Sequence, residues 1–378
     1  MKTPFANNNT STDRGMYIAQ GSHIYKASID EQAIIWRRDI AGLGSSLIVA
    51  NGMVYVYASQ NESMVYALHV STGREIWSTS VSPYLVEAGI QVSELMAMAL
   101  IDTILYVLSF QGTITALNAT TGILIATYEI PPLQQDIHLG AIELIIANSI
   151  LYYSSQNNLY ALELQNFRQR WRSTLQAPQN FLAHSLDHTS IYAIADLDPE
   201  GSYVYAFSAE SGRQNWCSNL LPDPIFDAPV CTDDTLYCMG ATTIYALNAR
   251  SGEIQWEHFV GKTAGLKPCI ENDMLYLCLA GTYQQESFAQ ENPLTEQSAL
   301  LALDRHTGSL HWYRNLNLHA TMFHVKQGIF YLYCSTTNKI YAFNGKDGSA
   351  QGWLNSPVNQ SATNSEAFGF GSSLIVVP

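Results

Sequence analysis

The sequence predicts an all-β chain, an eight-bladed β-propeller of four-stranded blades. Three observations predict it. A short block ending in Trp recurs along the whole chain. No segment keeps a 3.6-residue apolar period, so nothing reads as an amphipathic helix. The two chain ends carry near-identical segments, as expected where one blade is completed from both termini.

The block is an aliphatic residue, Tyr, Ala, an aliphatic residue or Phe, four variable residues, Gly, three residues, then Trp. Val65-Tyr66-Ala67-Leu68 leads to Gly73 and Trp77, and Val204-Tyr205-Ala206-Phe207 to Gly212 and Trp216. Ile244-Tyr245-Ala246-Leu247 leads to Gly252 and Trp256, and Leu300-Leu301-Ala302-Leu303 to Gly308 and Trp312. Ile340-Tyr341-Ala342-Phe343 leads to Gly348 and, one residue late, to Trp353. Three copies are degraded. Ile24-Tyr25-Lys26-Ala27 keeps Trp36 but has Gln32 for Gly, and Leu159-Tyr160-Ala161-Leu162 keeps Trp171 but has Phe167 there. Ile114-Thr115-Ala116-Leu117 keeps Gly122 but has Ala126 for Trp. The eight Trp positions lie 40 to 56 residues apart, and roughly 40–50 residues is the length of one four-stranded blade. All seven Trp of the chain are thereby assigned to the repeat.

Each unit reads as four strands. The first two are joined by a tight turn, as at Asn51-Gly52 before Met53-Val54-Tyr55-Val56. Asp233-Asp234 before Leu236-Tyr237 and Gln327-Gly328 before Phe330-Tyr331 repeat it; Asn-Gly between apolar runs is a strong hairpin signal. The Tyr-Ala segment is the third strand, and the fourth holds the Trp. The repeat Gly suits the intervening turn, where positive φ is cheap only without a Cβ. Ala suits a crowded site between sheets, and Trp offers a large apolar face for packing blade on blade.

Gly42-Leu43-Gly44-Ser45-Ser46-Leu47-Ile48-Val49 returns as Gly369-Phe370-Gly371-Ser372-Ser373-Leu374-Ile375-Val376. The C-terminus is therefore expected to supply the first strand of a blade whose other strands are Met16-Tyr17-Ile18, Ile24-Tyr25 and Ile34-Ile35-Trp36. Such a join removes an open sheet edge. Residues 15–378 then form one propeller domain. The polar segment 1–14 reads as a flexible linker or a remnant of a longer chain.

Composition narrows the function classes. The 378 residues are 47% hydrophobic and only 13% charged, with 11% aromatics, enough apolar surface to exclude disorder. A net charge of −14 without a Lys/Arg cluster argues against nucleic-acid binding and against docking on anionic lipid. No apolar run reaches spanning length, and the N-terminus lacks the pattern of a signal peptide. The six Cys form no Cys-x-x-Cys motif, which excludes zinc-ribbon and thioredoxin readings. Cys231/Cys238 and Cys269/Cys278 flank hairpin turns, where a cross-strand disulfide is possible; free thiols packed in strands are the expectation.

At Leu301-Ala302-Leu303-Asp304, through Gly308 to Trp312, the chain resembles the pyrroloquinoline-quinone-like repeat propellers. That family includes quinoprotein alcohol dehydrogenases and the propeller lipoprotein of bacterial outer-membrane barrel assembly. The resemblance covers residues 15–378. For a dehydrogenase it implies a quinone held between a Trp and a disulfide of adjacent cysteines, beside calcium and a catalytic Asp. No adjacent cysteines occur here, and every Trp is assigned to the repeat. The expectation is therefore a non-catalytic binding or scaffolding propeller without cofactor, resembling the family's non-catalytic members. It would be a monomer that binds a protein, peptide or small ligand, and it could be the sensory or interaction domain of a larger bacterial protein. An extracytoplasmic location is favoured. The alternative is a quinone- and calcium-dependent alcohol or sugar oxidoreductase with an atypical site.

Polar residues between one blade's last strand and the next blade's first are candidates for a channel-mouth or binding site. They are Glu87, His138, His184, Asp227, Lys267, His319 and Glu366. The longest insertion, with Gln284, Gln285, Glu286, Phe288 and Glu291, is a candidate partner loop, since loops of this length are usually functional or disordered. Tyr84, Phe181, Phe226, Phe368 and Phe370 form a further aromatic set near blade transitions.

Overall fold

Left-handed turn residues set the hairpins. Asn51 and Gly52 take φ of 54° and 75°, and Gln327 and Gly328 take 52° and 72°, the paired positive values of a type I′ turn. Around such turns the described residues of the computed structural model form strands and turns, with no helix among them. It describes residues 15–377 apart from 21, 29–32, 60–61, 84–94, 110–112, 130–144, 156–157, 176–181, 187–188, 198–199, 226–227, 233, 262–265, 281–297, 335–336, 338 and 356–372. Among the described residues no helix is long and apolar enough to cross a membrane.

Blade one holds β1 (Gly15–Gln20), β2 (His23–Ser28) and β3 (Ala33–Asp39). Blade two is β4 (Leu43–Ala50), β5 (Met53–Ser59), β6 (Glu62–His69) and β7 (Glu75–Pro83). Blade three is β8 (Leu95–Ile101), β9 (Ile104–Ser109), β10 (Thr113–Asn118) and β11 (Leu124–Glu129). Blade four is β12 (Ile145–Ala147), β13 (Ile150–Ser155), β14 (Asn158–Glu163) and β15 (Gln169–Thr174). Blade five is β16 (Leu182–Leu186), β17 (Ser190–Asp196), β18 (Ser202–Ser208) and β19 (Gln214–Cys217). Blade six is β20 (Val230–Thr232), β21 (Thr235–Met239), β22 (Thr243–Asn248) and β23 (Ile254–Phe259). Blade seven is β24 (Cys269–Glu271), β25 (Met274–Ala280), β26 (Ser298–Asp304) and β27 (Leu310–Leu316). Blade eight is β28 (Ala320–Lys326), β29 (Ile329–Cys334), β30 (Lys339–Asn344) and β31 (Ala350–Asn355). The last strand, β32 (Ser373–Val377), returns to blade one.

The fold is thus an all-β, eight-bladed β-propeller, each blade a sheet of four strands. Blade one is completed from both chain ends: β32 pairs antiparallel with β1, Gly15 against Val377 and Tyr17 against Ile375.

The chain divides into two compact units. One is Met1–Pro131, Thr321–Asn344 and Ser349–Pro378; the other is Pro132–Ala320 and Gly345–Gly348. In each, the core lies between successive sheets. In the first unit Val54 and Val56 pack with Tyr17, Ile24 and Trp36. The intervening Tyr55 and Tyr57 pack with Leu105, Val107 and Leu117. Burial on both faces explains why second strands read as continuous apolar runs rather than alternating ones. In the second unit Tyr192 and Ile194 share a core with Leu236 and Leu247. Tyr237 and Met239 share the next with Leu275 and Leu301.

A β-bulge follows the repeat Ala position where the third and fourth strands pair, as between Ala206 and Phe207 or Ala246 and Leu247, and after Lys26, which stands there in blade one. Ala stands directly opposite Trp: Ala67 to Trp77, Ala161 to Trp171, Ala302 to Trp312. The small side chain leaves room for the indole. Blade eight departs from this, and the expectation for Trp353 is corrected. Its extra residue puts Gly352 opposite Ala342 and Trp353 opposite Tyr341. One position along a strand is the opposite face. Trp353 is accordingly 50% exposed, with the Lys339 ammonium 3.7 Å from its ring centroid.

Candidate functional site

The most regular polar feature joins consecutive sheets. The Trp77 indole N–H donates to the Ala119 carbonyl at 2.9 Å, and the Tyr55 hydroxyl donates to the same oxygen at 3.2 Å. Trp171 and Tyr152 share Ala209 O at 3.0 and 3.2 Å, and Trp256 and Tyr237 share Arg305 O at 3.0 Å each. Trp36 and Trp312 donate to Val70 O and Gly345 O. Each shared acceptor is fixed in turn: the N–H groups of Ala119, Ala209 and Arg305 bond to carbonyls of Thr103, Thr189 and Asp273. The indole face meets the repeat Gly. A Cβ on Gly252 would lie 2.5 Å from Trp216, and one on Gly308 2.5 Å from Trp256. The repeat Gly is therefore required twice over, by its positive φ and by the ring against it.

Sequence reasoning missed the second-strand Tyr, although it recurs as Tyr17, Tyr55, Tyr106, Tyr152, Tyr192, Tyr237, Tyr276 and Tyr331. Its ring lies 5.9 to 6.5 Å from the Trp of its own blade, tilted in each of the six pairs from Tyr17–Trp36 to Tyr276–Trp312. Tilted pairs at this distance are the favoured aromatic geometry.

The sequence-predicted polar set is only partly described. Lys267 is exposed in the segment before β24, and His319 is half-buried just ahead of β28. His184 lies within β16, paired with Ala193, rather than in a connecting turn. Glu87, His138, Asp227 and Glu366 lie outside the described residues, as do Gln284, Gln285, Glu286, Phe288 and Glu291. Tyr84, Phe181, Phe226, Phe368 and Phe370 lie outside them too.

One blade transition is described nearly throughout, and its carboxylate is structural. Asp223, buried between Pro222 and Pro224 in sequence, accepts bonds from the Thr242 and Thr243 N–H groups at 2.8 and 2.7 Å. The Thr242 hydroxyl adds a third at 3.0 Å. Leu221 exchanges backbone bonds with Ser202, whose hydroxyl accepts from Ile225 N–H at 2.9 Å. Ser298 does the same for Ala320 N–H at 2.8 Å. Buried acceptors with several donors hold a connection rigid.

All six cysteines are free thiols. Cys231 stands opposite Leu236 and Cys269 opposite Tyr276, so each potential partner is a diagonal neighbour rather than a facing one. Burial pushes the Cys238 thiol up to about 12 and raises Cys278 as well, which leaves both as inert thiols. Burial also lowers the His258 imidazole, partly opposed by a bond with the Gly308 backbone. Among the described residues no three His, Cys, Asp or Glu side chains come together as a metal-ligand set.

A quinone of the dehydrogenase type requires a Trp and an adjacent cysteine pair as its sandwich. The residues present do not fit it. No two cysteines are adjacent, and six indoles are held by carbonyl bonds in the cores. The seventh, Trp353, is half exposed with the Lys339 ammonium against its ring.

Comparison with known proteins agrees with the blade architecture. The family model described as outer membrane protein assembly factor BamB matches residues 4–218 and 200–367. No curated protein sequence matches the chain. Among solved structures, BamB from Moraxella catarrhalis is 15% identical with a TM-score of 0.62, covering 93% of this chain and 99% of that one. Quinohemoprotein alcohol dehydrogenase from Comamonas testosteroni is 12% identical with a TM-score of 0.60, covering 84% and 68%. Dihydro-heme d1 dehydrogenase NirN in complex with DHE is 10% identical with a TM-score of 0.66, covering 92% and 74%. At these identities the likeness is one of fold.

Proposed function

We propose that this chain, which belongs to the family of the outer membrane protein assembly factor BamB, is a non-catalytic binding propeller. It serves as a rigid platform that holds a partner protein on the extracytoplasmic side of a bacterial cell. The observation that carries this reading is the engagement of the indoles. Six Trp side chains fix sheet to sheet through their N–H groups, so they build the scaffold rather than a cofactor stack. The family supports the same reading, because its model is described as an outer membrane protein assembly factor. Fold likeness to dehydrogenases does not weigh against it, since unrelated functions share one scaffold.

Rigidity follows from repetition. Each shared carbonyl ties a Trp and a Tyr at once, and buried networks with every member satisfied specify one arrangement. A dye-linked oxidation assay, with the chain supplied with pyrroloquinoline quinone and calcium over a panel of alcohols and sugars, tests the reading. No turnover above the protein-free control is expected. Quinone-dependent turnover would overturn it.

A further inference from the structure

Blade one is held differently on its two sides. Toward blade two, the Trp36 indole donates to Val70 O at 3.0 Å, and a Cβ on Gly73 would lie 2.5 Å from its ring. Trp77, Trp171, Trp216, Trp256 and Trp312 each reach the following blade in the same way. From blade eight toward blade one no indole comes. Ala342 belongs to the cluster that packs these two blades together, with Met322, Tyr331 and Ile340 against Met16, Ile18 and Tyr25. The residue opposite Ala342 is Gly352, so the position that carries Trp in those six blades carries no side chain here. Trp353 lies on the other face and is half exposed. The receiving position has diverged with it, because blade one has Gln32 where the six blades that receive an indole have Gly.

The same blade is the one whose sheet is not continuous in sequence. β32 and β1 are joined by strand pairing, from Gly15 against Val377 to Ala19 against Ser373. In the other blades the first strand runs into the second through a turn of the same chain. Blade three also lacks Trp, but its four strands are consecutive. At blade one the two features coincide. Apolar packing is non-directional, and methionines such as Met16 and Met322 adapt readily to altered surroundings. Openings smaller than global unfolding follow boundaries of this kind. We propose that blades eight and one meet at a seam that opens locally. β1, β2 and β3 part from β32 and from blade eight while the Trp36 bond keeps them on blade two. A ligand in contact with both blades binds the closed form and holds the seam shut. The inference goes beyond the platform reading and does not rest on it.

Native-state hydrogen exchange of the full chain over a series of low urea concentrations tests this, with fragmentation in the mass spectrometer resolving single amides. The comparison is between amides bonded across the β1–β32 pair and those across β4–β5 and β16–β17, which hold the same place in their blades. Tyr17, Tyr55 and Tyr192 are all buried, so burial does not distinguish the three pairs. The β1–β32 amides are expected to exchange at least tenfold faster, with a weaker urea dependence, because a local opening exposes less surface. Equal rates, or one common urea dependence, would overturn the proposal. Deletion of Gly352 together with Gln32→Gly restores both the Trp register and the glycine it meets. In that variant, its fold checked by circular dichroism, exchange across β1–β32 should slow at least tenfold. A folded variant that exchanges as fast as the unaltered chain would overturn the assignment of the opening to the missing indole.

Discussion

Tyr192 and Trp216 donate to a single carbonyl oxygen, that of Ala249, at 3.1 Å each. The oxygen belongs to the next blade, and the Ala249 N–H is held by Asp234 O. With either donor removed, the other still satisfies the buried acceptor. With both removed, the acceptor is left unpaired, a penalty of about 1–3 kcal/mol. A double-mutant cycle of Tyr192→Phe and Trp216→Phe in urea should therefore be synergistic, the double variant losing about 1 kcal/mol more than the sum. Simple additivity would show that the two donors act independently.

Glycine at the turn is predicted to matter for two separable reasons. Gly252 has φ of 75°, and a Cβ there would meet Trp216 at 2.5 Å, whereas Gly261 has φ of 87° and open space around it. Gly261→Ala should cost about 1–2 kcal/mol, the left-handed backbone cost alone. Gly252→Ala should cost about 1–3 kcal/mol beyond that through overpacking. Equal shifts in thermal midpoint would refute the packing role.

The turn after the third strand gives a pH signature in blade seven. Asp304 accepts the His306 and Thr307 N–H groups at 3.0 and 2.8 Å, as Asn248 accepts those of Arg250 and Ser251 in blade six. The bonds from Thr307 and His306 hold the Asp304 carboxyl below the usual aspartate range. A depressed folded value means its stabilisation is complete above about pH 4 and is lost as pH falls through the folded value. Asp304→Asn should leave stability at pH 7 within about 0.5 kcal/mol and flatten the acid limb below about pH 4. An unchanged acid limb would contradict this.

Thiol accessibility follows the strand positions. Cys217 is exposed, Cys231 and Cys269 are half-buried, and Cys238, Cys278 and Cys334 are buried. Ellman's reagent on the native chain should label Cys217 first and leave the last three protected until unfolding. Unfolding without reductant should release all six thiols; a shortfall of one pair would show that a disulfide has formed.

Much of this architecture is legible in the sequence because a repeat samples the same constraint many times. The Trp, Gly and Ala positions are each forced by one contact, indole against glycine with alanine opposite, so their spacing survives divergence. The matching segments near Leu47 and Leu374 likewise point to the strand that β32 adds to β1. Trp353 misleads because spacing alone does not show face. An insertion of one residue keeps the motif but turns the side chain outward. The second-strand Tyr stands at a fixed offset after each hairpin, but it sits in runs apolar on both faces, where one aromatic does not stand out. The polar candidates lie in connections whose length and chemistry vary from blade to blade. Asp223 shows how such a carboxylate can serve the connection itself.

Six indoles are engaged between sheets by their N–H groups, and quinone uptake tests directly whether any indole can serve a quinone. The chain is incubated with excess pyrroloquinoline quinone and calcium, desalted, and read by absorbance for retained quinone. The prediction is retention no higher than that of an unrelated protein of similar charge. Calcium-dependent retention of one quinone per chain would contradict it.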